Sequence, residues 1–165
     1  MAKPREIPGL DAETTYGDAA VKVVAARADE LAGHARGVLD TDDIERVHDM
    51  RVATRRLRAA LELFEPCFPR KAHARALRSV KALADALGER RDRDVAIAAL
   101  RELAEEMPAA DRRGIETLVA SLRDEQFEAN LALAPMVDDG SLSELGAELE
   151  RLVASAKGAG PEDRR

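Results

Sequence analysis

Val47-His-Asp-Met-Arg51-Val-Ala-Thr-Arg55-Arg-Leu-Arg58-Ala-Ala-Leu-Glu-Leu-Phe64 is the stretch on which the fold turns. At 100° per residue, Val47, Met50, Thr54, Leu57, Leu61 and Phe64 fall on one side of a helix, an apolar stripe that needs a core to pack against. His48, Arg51, Arg55 and Arg58 follow the 3-and-4 spacing on a neighbouring side, a row about 15 Å long at about 1.5 Å rise per residue. Like charges at that spacing cost a helix a few tenths of a kcal/mol per pair. Folding gains nothing from such a row.

Outward from this helix the chain is punctuated at regular intervals. Thr41-Asp-Asp-Ile-Glu45 offers a cap and first-turn acids at its start, and Pro66-Cys-Phe-Pro69 breaks it after about Glu65. A first helix is predicted from about Asp18 to Val38, with Val21, Val24, Ala28, Leu31 and Ala35 along one side and Gly33 and Gly37 weakening its second half. A third spans about Lys71–Leu87, with Gly88 in the place of a C-terminal cap. A fourth starts near Asp92, with Asp92 and Asp94 in its first turn, and runs to Met107. A fifth covers Asp111–Leu133 and stops before Pro135. Asp138-Asp-Gly140 reads as a turn, and Ser141-Leu-Ser-Glu144 as a capping box for a sixth helix to about Ala156. The expected fold is all-α: an antiparallel helical bundle of about six helices with a four-helix-bundle-like core. Residues 1–13 and 158–165 read as tails of a single domain, 1–165.

Composition agrees. A chain of 165 residues suits one domain. Apolar residues make up 45% but aromatics only 2%, with no Trp, so helix formers abound and the residues that strands favour are scarce. A sandwich, a barrel and a parallel α/β sheet are excluded. The single Cys67 rules out an internal disulfide framework. Apolar runs such as Val95–Leu100 are far too short for a membrane span. Met1–Asp11 holds Lys3, Arg5, Glu6 and two prolines where a signal peptide needs an apolar stretch. A cytoplasmic protein without a membrane partner is the expectation.

The net charge of −6 argues against a general nucleic-acid or membrane-surface binder, but its distribution says something different. From Arg46 to Arg93 there are 13 Lys/Arg and 6 Asp/Glu, a local +7, while the remainder carries −13. Arg outnumbers Lys by 21 to 5, and Arg suits bidentate capture of phosphate or carboxylate. The third helix repeats the pattern of the second. Leu77, Val80, Leu83, Ala84 and Leu87 form an apolar face, and Lys71, Arg75, Arg78 and Lys81 line the opposite one. In a hairpin the two basic rows can border one groove, whose natural ligand is an extended polyanion.

The stretch Val47–Phe64 resembles the signature of the CHAD family, the conserved histidine α-helical domain. Leu83-Ala-Asp-Ala-Leu-Gly88-Glu-Arg-Arg91-Asp92-Arg-Asp94-Val95 is similar to the family's second motif, and the two stand in the right order at a fitting separation. The resemblance implies a helical fold and binding of inorganic polyphosphate through basic side chains, often at polyphosphate granules. By motif, His48, Arg51, Arg55 and Arg58 match the family's basic helix. Lys71, Arg75, Arg78 and Lys81 sit on the following helix, which also carries basic residues in the family. Arg91, Asp92 and Asp94 match the second motif, and Arg56 and Arg91 complete the candidate polyphosphate-binding set. Family domains are commonly about twice as long in their helical part, whereas here no His follows His73. Either the chain is a short member of the family, or a second copy completes the groove, in which case a homodimer is expected.

Other chemistry is set aside. His34, His48 and His73 show no short-range ligand spacing, and the arginines around His48 oppose a cation, so no metal is expected. Cys67 has no neighbour that would make it a nucleophile. A phosphate-cradling Gly-rich loop and a Walker-type lysine are both missing, so neither a cofactor nor enzymatic activity is expected. Nucleic acid is an alternative partner, weakened by the lack of aromatics among the basic rows for base stacking. An acidic docking partner is the other alternative.

Overall fold

The computed structural model describes residues 3–156, and within them the chain is helical with no strand. Five α-helices follow in order: α1 (Tyr16–Gly33), α2 (Glu45–Leu63), α3 (Arg70–Glu106), α4 (Arg112–Val137) and α5 (Asp139–Ala154). A single 3-10 turn, Glu65–Cys67, joins α2 to α3. Helices α1, α2, α5 and the first half of α3 enclose one core, in which Val24, Met50, Leu57, Leu61, Val80, Leu87, Leu149 and Leu152 are all at most 3% exposed. Each fully buried Leu or Val contributes about 1.5–3 kcal/mol relative to exposure. The second half of α3 packs against α4 instead, so one long helix ties the bundle to an antiparallel pair.

The bundle has five helices rather than six because Gly88 does not end α3. The helix runs through it for 37 residues. Gly at a helix interior costs about 1 kcal/mol relative to Ala, but the buried face continues without a phase change through Leu83, Leu87, Arg90, Asp94 and Ile97. Packing on α2 before Gly88 and on α4 after it outweighs that cost. Asp92 and Asp94 consequently lie in mid-helix, not in a first turn.

Other boundaries shift for equally local reasons. Thr41 and Asp42, expected to cap α2, stay in the preceding loop, and α2 begins without a side-chain cap. Helix α4 passes Pro135, whose ring supplies no N–H to the preceding turn, and buried Leu133 and Val137 hold its last turn on the core. Asp138, not Ser141, caps α5, accepting from the Ser141 N–H at 2.7 Å. Residues 3–13 are tied down: Lys22 Nζ donates to the Gly9 carbonyl at 2.6 Å and Arg27 to the Arg5 carbonyl at 3.1 Å. The expected tail at 158–165 lies outside the described residues.

A charged network sits where loop, α3 and α4 meet. Arg90 is 0% exposed and Asp94 1%. Arg90 Nε stands 3.0 Å from Asp94 Oδ1, and its terminal nitrogens donate to Asn130 Oδ1 at 2.9 Å and to the Val38 and Asp40 carbonyls. Asn130 returns a hydrogen bond to the Leu39 carbonyl, and Gln126 donates to Asp94 Oδ1 at 2.6 Å. Burial pushes the Asp94 carboxyl above its ordinary range, against the opposing pull of Gln126 and the arginines.

Two stability outcomes follow. Arg90→Met strands Asp94 as an unpaired buried charge and frees three acceptors, and costs about 3–5 kcal/mol in urea unfolding. Gly88→Ala adds a Cβ 3.9 Å from Arg51 Nε, an ordinary contact, and raises stability by about 0.5–1 kcal/mol. A loss of stability in Gly88→Ala would contradict the continuous helix.

Candidate functional site

Burial of Val47, Met50, Thr54, Leu57 and Leu61 leaves Arg51, Arg55 and Arg58 on the flank of α2 that borders α3. The hairpin register is fixed at the turn. His73, only 3% exposed, places its Nε2 2.8 Å from the Leu61 carbonyl and stacks on Phe68 with ring centres 6.2 Å apart. His73 is thus a structural histidine. The buried Cys67 packs in the same turn.

Between α2 and α3 lies a cavity of about 490 Å³. Arg51, Arg55 and Arg58 form one wall, Ala84 and Gly88 take part in the other, and Asp85, Glu89 and Asp92 complete it. Arg51 and Arg55 make no ion pair or hydrogen bond through their side chains among the described residues. Arg58 Nε donates to Glu62 Oε1 at 2.9 Å, and Lys81 Nζ stands 3.6 Å from the same oxygen. The Arg58 hydrogen bond, helped by Lys81, holds the Glu62 carboxylate below its ordinary range. Lys81 therefore extends the α2 row across the hairpin.

The second basic row does not line this space; Lys81 comes nearest, through Glu62 beside Arg58. Lys71 and Arg78 are exposed on α3 and do not line the cavity. Arg75 lines a separate cavity against α5, with Ser79, Glu148 and Arg151. The reason is rotation: Arg75 stands about 120° round the helix from Lys81, at 100° per residue. The charge on α3 also changes along its length, from basic residues near the turn to Asp85, Glu89 and Asp92 further on. Glu89 is in turn paired with Arg93 at 2.6 Å.

The remaining candidates are occupied elsewhere. Arg56 points to α1, where its Nη1 lies 2.6 Å from Glu30 Oε1, and Arg27 holds the other oxygen of that carboxylate. Arg91 donates to the Ile44 carbonyl at 3.0 Å and stands 3.6 Å from Glu45, closing the start of α2. His48 is half-buried next to Glu45 and Asp49, whose ligand atoms and its own all lie within 4.8 Å of one another. Spacing of His and Cys alone does not reveal that trio, because two of its members are carboxylates on one helical turn. Arg90 was also missed. Its signal was an Arg and an Asp four residues apart on the apolar side of α3.

A helical-bundle domain with an arginine-walled groove between two adjacent helices is the class that fold and site define. The chain belongs to the CHAD domain family, whose model matches residues 22–165. No curated protein and no solved structure matches it. Among the described residues, no helix is long and apolar enough to cross a membrane.

The Arg56–Glu30–Arg27 cluster has a pH signature. Burial raises the Glu30 carboxyl, but Arg27 and Arg56 outweigh it and the net shift is downward. A depressed carboxyl contributes stability above its unfolded pKa and loses it as pH falls through the folded one. Glu30→Gln is expected to lower stability by about 1.5–3 kcal/mol at pH 7. Denaturation of both proteins across pH 7 to 2 checks this: the gap closes as wild-type Glu30 takes up its proton below the ordinary glutamate range.

Proposed function

We propose that this chain is a non-enzymatic binding module for inorganic polyphosphate. The observation that carries the reading is that Arg51 and Arg55, beside Arg58 and Lys81, have no ion pair or side-chain hydrogen bond among the described residues. The protein tolerates like-charge repulsion along α2 and leaves two of the row's three guanidiniums without an ion pair among the described residues, which folding does not require. A linear chain of phosphates accepts from successive guanidiniums and releases condensed counterions as it binds. Lys71 and Arg78, exposed beyond Lys81 toward the turn, extend the track for a longer chain.

Asp85, Glu89 and Asp92 set a boundary, because a polyanion entering the far half of the cavity meets carboxylates. The phosphate chain accordingly runs along the α2 wall and toward the turn. Family membership supports the ligand class, since the resemblance already links these motifs to polyphosphate. Retention at polyphosphate granules is the cellular consequence of such binding. Nucleic acid fits less well, as no aromatic side chain lines this cavity for base stacking.

Fluorescence anisotropy of labelled polyphosphate, with single-stranded DNA as competitor, tests the reading. Wild type binds in a salt-sensitive manner and DNA displaces the label poorly. Arg51→Glu/Arg55→Glu/Arg58→Glu loses binding with helix content unchanged by circular dichroism. Retained affinity in that triple variant would overturn the site.

A further inference from the structure

On the far side of α3 from the arginine groove, a further cavity of about 350 Å³ opens between α3, α4 and the loop before α2. Asp94 lines it at 1% exposure. Its Oδ1 accepts from Gln126 and faces Arg90, but its buried Oδ2, like the neighbouring Arg90 Nε, has no hydrogen-bond partner among the described residues. Buried acceptors are rarely left without a donor in native proteins. Arg101 and Arg123 line the same cavity, both exposed and neither in an ion pair or side-chain hydrogen bond among the described residues. They belong to the part of the chain with a balance of −13, where carboxylate partners abound. Phe127, 61% exposed, stands with them.

Each feature asks for a different part of one ligand. Two free guanidiniums suit a phosphate group. An exposed aromatic ring beside them suits a planar base, which stacks whatever its identity. A carboxylate oxygen lacking a donor suits an N–H on that base. Thr41 and Asp42, also lining the cavity, can meet sugar hydroxyls. We propose that this cavity binds a nucleoside monophosphate, its phosphate on Arg101 and Arg123, its base against Phe127 and a base N–H directed to Asp94 Oδ2. A lone water would satisfy Oδ2 but gives no role to the free arginines or the exposed ring. The volume lies at the lower end of the about 300–1,000 Å³ of ligand pockets, suited to one nucleotide. The proposal stands apart from the polyphosphate reading, because none of these residues lines the arginine groove.

Titration calorimetry of the full chain with AMP, GMP, CMP and UMP tests it, with ribose 5-phosphate and inorganic phosphate as controls. At least one mononucleotide is expected to bind more tightly than both controls. Phe127→Ala and the double variant Arg101→Glu/Arg123→Glu, all at exposed positions, each weaken that binding tenfold or more with unchanged thermal unfolding. The Arg51/Arg55/Arg58 charge-reversal variant binds the nucleotide as wild type does, whether or not it retains polyphosphate. Absence of heat with all four nucleotides at millimolar concentration overturns the proposal. So does equal binding of ribose 5-phosphate, or loss of nucleotide binding in the groove variant alone.

Discussion

Arg90 carries a full charge with no access to water, and the arrangement of the molecule follows from how that charge is satisfied. Its partners come from three places: Asp94 one turn along α3, Asn130 on α4, and the Val38 and Asp40 carbonyls of the loop between α1 and α2. Meeting all of them fixes α4 against α3 and sets the loop that launches α2. Arg91, the next residue, then holds the start of α2 through the Ile44 carbonyl. The Arg90 network thus braces the start of α2, while the His73 contact at the turn sets its other end against α3. A charge that is costly to bury gives a unique geometry here because several partners meet it at once.

The arginines of the central segment divide by environment rather than by sequence. Arg56 sits between Arg55 and Arg58 in the chain yet is turned away from both, neutralised by a nearly buried Glu30. Arg90 and Arg91 are adjacent, and one is wholly buried while the other braces a helix start. Arg51 and Arg55 have no ion pair or side-chain hydrogen bond among the described residues. This sorting turns an apparently uniform basic block into a small set of available charges, bounded on α3 by Asp85, Glu89 and Asp92.

Much of this was legible from the residues. The apolar stripe on α2, the break at Pro66–Pro69 and the near absence of aromatics led to an all-helical bundle, and Arg51, Arg55 and Arg58 do share one wall. What escaped depended on tertiary context. Gly88 has the local signature of a helix end, and only the packing of α3 on two successive partners carries the helix through it. Arg75 and Lys81 looked like one row, but a third of a turn separates them and sends them to different neighbours. Asp94 resembled a first-turn acid because the helix was expected to start beside it, and its pairing with Arg90 becomes visible only when α3 is continuous.

The central claim is that Arg51 and Arg55 are available to phosphate while Arg56 and Arg90 are committed to the fold. Arginine Nε–H signals, followed by nuclear magnetic resonance as polyphosphate is added, test it most directly. Arg51, Arg55 and Arg58 are expected to move together while Arg56 and Arg90 stay fixed. Shifts centred on Arg56 or Arg90, with Arg51 and Arg55 unmoved, would contradict it.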